Sequence, residues 1–193
     1  MNRALYAVGW SYVALCGLLL MRAPGAPVRG AAPHATPTPF AGPAGEWFAQ
    51  VKPFCNAVEV EVKQQHSPPP ATAEGAGYGA GCFALAGKIQ RARELIDRLD
   101  PGDRSLAAGI VFNIGHPVAD AGDDQSAGPI MRLVVDYQPQ NYMALYHAGM
   151  SEYILGQLDL ARTHLESFLA IYKSEDGWRS NALGVLGRLP KSR

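Results

Sequence analysis

The chain has 193 residues, of which 48% are hydrophobic, so it can bury a core, and this composition argues against disorder throughout. Seventeen basic side chains balance seventeen acidic ones. Because no run of lysine and arginine forms a phosphate-binding stripe, we expect no nucleic-acid partner.

The first predicted element is a membrane-spanning helix within residues 1–22. Residues 4–21 carry no charge and lie between Arg3 and Arg22, and as a helix they would span about 27 Å, close to the thickness of a bilayer core. A cleaved secretory signal is the alternative, but Pro24 interrupts the small residues that a cleavage site needs. We therefore favour a retained single-pass anchor in a bacterial inner membrane, with the domain in the periplasm.

Two segments rich in proline and glycine follow this anchor. Residues 23–45 hold six prolines and four glycines, which predicts a semi-rigid linker that holds the domain off the membrane. A second stretch, His66–Gly77, contains three consecutive prolines and is predicted to be a loop. The remaining residues, 46–193, are predicted to form the helical domain.

The rest of the chain shows helical periodicity. A first helix is predicted over about 46–65, with Pro53 starting or kinking it, although residues 58–62 also alternate like a strand. A second, over 89–99, carries the pairs Arg93–Asp97 and Glu94–Arg98 at four-residue spacing. Further helices are predicted over 141–155 and 160–172, with a capping helix over 176–189. The predicted fold class is all-α, built from antiparallel helix pairs.

Small residues recur along this helical region at a fixed period. The three sets are Ala80, Gly87 and Ala92; Gly115, Gly122 and Ala127; and Gly149, Gly156 and Ala161. Their registers are offset by 35 and then 34 residues. Two antiparallel helices need small residues where they approach most closely and a glycine at the turn between them.

In this spacing the chain resembles the tetratricopeptide repeat family, and an unrelated helical bundle is the alternative. The three units would be residues 73–106, 108–141 and 142–175, with Pro139 at the family's terminal proline. Pro117 and Pro129 interrupt both helices of the second unit, which predicts a long loop with one short helix in place of a regular repeat.

The resemblance implies a protein-binding face along the first helix of each unit. Carried over by position, its residues are Phe112, His116, Met143, Tyr146, Met150 and Tyr153. Methionine and tyrosine suit the binding of a peptide or of a partner's helix. Each of these side chains has a second interpretation, in which it fills the core between units.

Cys55 and Cys82 lie 27 residues apart on predicted helices. In an extracytoplasmic domain they could form a disulfide, and two buried thiols are the alternative. Because the sequence holds no Cys-x-x-Cys, it does not support a redox dithiol, a haem attachment site or a zinc ribbon.

Metal-ligand residue types cluster at one place, where His116, Asp120, Asp123 and Asp124 occur within nine residues. The spacing of a helix-loop-helix calcium site is missing. We therefore predict a solvated acidic turn that caps a helix, with these four residues as the candidates should a metal bind. His147 and His164 have no carboxylate at ligand spacing on their own helices and are predicted to be structural.

The sequence indicates a binding protein with no catalytic residues and no cofactor. It contains neither a serine in a glycine elbow nor a cysteine with an evident histidine base. The predicted function is a membrane-anchored scaffold that binds other subunits of a multisubunit membrane complex, for which photosynthetic and respiratory assemblies are natural hosts. The alternative is a periplasmic metal or ligand sensor built on the His116–Asp124 loop.

Overall fold

The computed structural model describes residues 42–190, all of which belong to one compact unit. The predicted membrane helix and most of the predicted linker lie outside the described residues. Within them the regular elements are α-helices and one 3-10 turn, with no strand, which confirms the all-α prediction. None of the helices in this range is long and apolar enough to cross a bilayer.

The helices follow one another with short connections. They are α1 (Gly42–Val51), α2 (Val60–His66), α3 (Ala73–Leu85), α4 (Ile89–Asp97), α5 (Pro101–Asp120), α6 (Asp124–Tyr137), α7 (Tyr142–Ile154), α8 (Leu158–Ile171) and α9 (Gly177–Arg188). The 3-10 turn Lys52–Phe54 follows α1. Helices α3 to α8 form three consecutive packed pairs, and α9 packs on both α7 and α8.

The amino-terminal helices differ from their predicted bounds. Residues 42–45, assigned to the linker, already belong to α1, with Pro43 in its first turn, where a proline costs no hydrogen bond. The single helix predicted over 46–65 is divided, because Pro53 ends the first part and the Asn56 side chain accepts the N–H groups of Val58 and Glu59 before α2 begins.

The predicted loop over 66–77 is shorter than expected. Helix α3 begins at Ala73, inside that stretch. The Thr72 hydroxyl caps the helix by accepting the Gly75 N–H at 3.1 Å.

The turns within the three pairs share one hydrogen-bonding motif. Gly87, Gly122 and Gly156 adopt φ values of 72°, 76° and 75°. The residue after each glycine donates its N–H to a carbonyl five residues back, and these bonds are Lys88 to Phe83, Asp123 to Val118, and Gln157 to Glu152. This is the Schellman arrangement, in which glycine avoids the penalty of a left-handed conformation. The predicted period of 35 and 34 residues thus coincides with a repeated backbone structure.

The small residues inside the helices lie where paired helices touch. A Cβ added at Gly115 would lie 2.5 Å from Ile130 Cγ2 on α6, and one at Gly149 would lie 2.7 Å from Leu165 Cγ on α8. On the second helices, Ala92, Ala127 and Ala161 are fully buried. Close helix approach therefore depends on these positions.

The prediction for the middle unit is wrong. Helix α5 runs for 20 residues through Pro117, and α6 runs for 14 residues through Pro129. The carbonyls that these prolines leave without a helical donor belong to Asn113 and Gln125, both exposed residues, so water can satisfy them. Helix α5 also begins at Pro101, so the predicted boundary between the first two units falls inside it.

The ion-pair partners predicted within α4 are replaced by others, two of which lie on α6. Arg93 pairs with Asp136, and the Tyr137 hydroxyl donates to Asp97 Oδ1 at 2.7 Å. Glu94, which was predicted to pair with Arg98, pairs with Arg91. Polar side chains of α4 and α6, the second helices of the first two pairs, thus hold these pairs together.

Candidate functional site

Most residues of the predicted binding face are half-buried. They are Phe112 and His116 on α5, and Met143, Met150 and Tyr153 on α7. Phe112 packs against the core of the first two pairs, while Met150 and Tyr153 pack against the core formed by α7, α8 and α9. Phe112, Met150 and Tyr153 therefore each join the core with one part and keep another part accessible.

Tyr146 must be withdrawn from the predicted binding face. It is only 9% exposed, because α9 covers it: its ring stacks on Trp178 at 4.8 Å, and Asn181 donates to its hydroxyl at 3.4 Å. Tyr146 anchors the last helix to the array.

Helices α5 and α7 bring together two histidines and a carboxylate. On α5, His116 and Asp120 are one helical turn apart, and the His116 Nε2 lies 3.6 Å from Asp120 Oδ1. From α7, the His147 Nε2 lies 3.8 Å from the same oxygen. The three donor atoms all lie within 4.8 Å of one another, so this cluster, which we call the His–Asp cluster, has the residue types of a metal centre.

The two imidazoles of the His–Asp cluster are held by aromatic rings. Phe112 stacks on His116 at 5.0 Å, while Tyr146 and Trp178 contact His147 edge-on at 5.5 and 5.7 Å. Both Nε2 atoms are buried, and neither has a hydrogen-bond partner within residues 42–190.

Burial lowers the pKa of His147 below its usual value, and the neighbouring His116 lowers it further. The carboxylates of Asp120 and Asp124 act in the opposite direction on that pKa. Because burial is the largest of these influences, the neutral form of His147 is favoured.

The four predicted metal candidates do not all meet. His116 and Asp120 belong to the His–Asp cluster. Asp123 instead caps α6 by accepting the Ser126 N–H at 3.2 Å, as the sequence predicted for this turn. Asp124 accepts the Ser151 hydroxyl at 2.8 Å on α7.

His147 was missed as a partner in this cluster because it lies 27 residues beyond Asp120 along the chain. The prediction considered only carboxylates on the helix that carries His147. The partner is supplied by packing between different helix pairs, and the 34- to 35-residue period was the signal that could have found it, since it places α5 and α7 in corresponding positions.

His164 is also paired, with a carboxylate on another helix. Its Nδ1 lies 2.7 Å from Glu152 Oε2, and the Arg132 Nε lies 3.8 Å from the other oxygen, Glu152 Oε1. Glu152 is 1% exposed. These buried contacts join α6, α7 and α8 and have a structural role.

A disulfide joins Cys55 to Cys82, with their Cα atoms 4.8 Å apart. Cys55 follows the 3-10 turn after α1, and Cys82 is buried in α3. The bridge therefore ties the amino-terminal helices to the first helix pair.

Comparisons with known proteins give no relative for this chain: no protein-family model matches it, and neither curated proteins nor solved structures yield a match.

Proposed function

We propose that the chain is a noncatalytic, tetratricopeptide-like scaffold that binds other protein subunits. The observation that carries this proposal is the identical turn motif at Gly87, Gly122 and Gly156, with the same glycine φ and the same backbone bond at each. Helix pairs repeated at this period are typical of arrays whose first helices present a binding surface. In this chain those helices are α3, α5 and α7.

Half-buried methionine and aromatic side chains on α5 and α7 support a protein ligand. Met143 and Met150 are flexible and polarisable, and Phe112 and Tyr153 provide rigid apolar area. Side chains of this kind are enriched where proteins bind one another.

The setting we propose is a bacterial inner membrane, with the helical domain in the periplasm. The uncharged residues 4–21 support an anchor, and the disulfide supports an oxidising compartment such as the periplasm. The scaffold is then an accessory or assembly subunit of a membrane complex, such as a photosynthetic or respiratory one.

The test is co-purification of the full-length chain from gently solubilised native membranes. We expect stoichiometric protein partners, and we expect Met143→Glu, which places a charge on α7, to weaken binding by about 2 kcal/mol or about 30-fold. Leu160→Glu is the matched control, because Leu160 is 41% exposed on α8, a second helix. A chain that always purifies as a lone monomer would contradict the proposal, as would equal losses in both variants.

A further inference from the structure

The His–Asp cluster presents three donor atoms at spacings close to those of a metal centre. Around an ion with bonds of about 2.1 Å in a tetrahedral arrangement, donor atoms stand about 3.4 Å apart. The two nitrogen–oxygen distances, 3.6 and 3.8 Å, exceed that separation by a few tenths of an ångström, and the two nitrogens lie within 4.8 Å of each other. Asp120 can take up this difference, because its side chain is 58% exposed and free to adjust.

The buried nitrogens lack the partners that such atoms normally have. His147 is 9% exposed, and its Nε2, like that of His116, is buried without a hydrogen bond from or to any residue of the described chain. A buried polar nitrogen without a partner destabilises the fold unless something else satisfies it. Both nitrogens lie near one carboxylate oxygen, at distances too long for a hydrogen bond.

The charges around the cluster also suit a cation. The carboxylate of Asp120 lies 3.6 and 3.8 Å from the two imidazole nitrogens. A neutral imidazole binds metals through a nitrogen lone pair, and a carboxylate beside it supplies negative charge that a divalent ion would neutralise.

We propose that His116, Asp120 and His147 bind one divalent transition-metal ion, for which zinc has the best-matched ligand preference. Two imidazole nitrogens and one carboxylate oxygen are a common zinc donor set, and three protein ligands leave the fourth position to water or to a group of a partner protein. Calcium is disfavoured, because it takes six to eight oxygen ligands and rarely imidazole.

The ion would act as a clamp between two helix pairs. His116 and Asp120 belong to α5, while His147 belongs to α7, and the described backbones of these helices make few other close approaches. Metal binding would therefore join α5 directly to α7, whereas the middle and third pairs otherwise meet mainly through α6 and α7. It would also rigidify the surface near Phe112, which stacks directly on His116.

The test is calorimetric titration of zinc into the full-length chain, purified in mild detergent and stripped of metal with a chelator. We expect saturable binding of one zinc per chain. The variants His147→Phe and Asp120→Asn are expected to weaken it by about 100-fold or more, since loss even of a supporting residue weakens metal sites by 10- to 100-fold. The matched control is His66→Gln, because His66 is an exposed histidine on α2, away from the cluster.

Folding of the variants is checked separately, by thermal unfolding without metal. Phenylalanine fits the aromatic surroundings of His147 and removes the unpartnered nitrogen, so His147→Phe is expected to melt at or above the wild-type temperature. Asp120 is exposed, and Asp120→Asn keeps its shape, so this variant tests the site even if the phenylalanine variant unfolds.

Three results would overturn the metal site. The first is wild-type zinc binding no tighter than that of His147→Phe and Asp120→Asn. The second is loss of binding in His66→Gln alone, which would place the metal on the surface. The third is no saturable zinc binding at all. None of these results depends on a protein partner, so failure of the metal site is distinguishable from failure of the scaffold proposal.

Discussion

The two histidine clusters that meet α7 differ in how their polar atoms are satisfied. On the side facing α6 and α8, one oxygen of buried Glu152 is hydrogen-bonded to His164 at 2.7 Å, while its other oxygen lies 3.8 Å from Arg132 without a hydrogen bond. On the side facing α5, the nitrogens of His116 and His147 lie beside Asp120 at distances too long for hydrogen bonds. The first cluster, which we call the closed network, has a short hydrogen bond between two helices and specifies packing, whereas the His–Asp cluster has no such bond and can accept a ligand.

The largest expected effect comes from opening the closed network. His164→Ala removes the close partner of Glu152 and leaves a carboxylate that is 1% exposed. Because Arg132 remains nearby at 3.8 Å, we expect a loss at the lower end of the range for broken buried pairs, about 3 kcal/mol. Denaturant unfolding monitored by circular dichroism measures this loss.

Two controls accompany that measurement. His66→Ala removes an exposed histidine and is expected to change the free energy of unfolding by less than about 0.5 kcal/mol. His147→Phe is expected to stay within about 1 kcal/mol of wild type without metal, or to gain stability. If His147→Phe cost as much as His164→Ala, the two clusters would not differ in the way described.

The next effect is stabilisation by zinc. At a free zinc concentration of 100 times the dissociation constant, the wild-type chain should gain about 2.7 kcal/mol. His164→Ala should show the same gain from its lower starting stability, because its substitution lies on the other side of α7. A gain in His147→Phe equal to that of wild type would contradict an ion bound between α5 and α7.

An added methyl group between α7 and α8 should disturb the closed network and leave the His–Asp cluster intact. Gly149→Ala places a Cβ 2.7 Å from the fully buried Leu165, and we expect a loss of about 2 kcal/mol from overpacking. Gly184→Ala on α9 is the matched control, because its Cβ would meet only Arg188 Nη1, at an ordinary contact distance of 3.9 Å, and the same change there should stabilise the helix by about 0.8 kcal/mol. Denaturant unfolding measures both, and zinc affinity should be unchanged in both.

The smallest expected effect concerns the Tyr137 hydroxyl on α6, which is hydrogen-bonded to Asp97 on α4. Burial, and after it the hydrogen bond to Asp97, raise the pKa of Tyr137 to about 12. Since the unfolded pKa is near 10, this hydroxyl contributes stability that is complete below pH 10 and is lost as pH rises toward 12. Tyr137→Phe should therefore show a shallower fall in melting temperature over that range than wild type, and parallel curves would contradict the assignment.

The predictable parts of the fold were those with a local cause. The glycines at 87, 122 and 156 are required by a left-handed turn wherever the helices lie, so their spacing was visible in the sequence. Pro117 and Pro129 misled the prediction, because whether a proline breaks a helix depends on the exposure of the carbonyl that it leaves free. Exposure is a tertiary property.

The candidate site followed the same rule. His116 and Asp120 are one helical turn apart and were found from the sequence, whereas His147 required the packing of α7 on α5. Arg93 shows the reverse error, since its predicted partner four residues away was displaced by Asp136 on another helix. Sequence spacing identifies neighbours on one helix and leaves open which neighbour the packing selects.

The bond between Cys55 and Cys82 has a consequence for how the domain would respond to tension. Force applied to the two ends of the chain passes through the disulfide. The 27-residue segment between Cys55 and Cys82 therefore does not extend while the bond is intact. At about 3.4 Å per residue, a reduced molecule pulled between its ends should extend about 90 Å further than an oxidised one. Single-molecule stretching before and after adding a reductant would measure that difference in contour length.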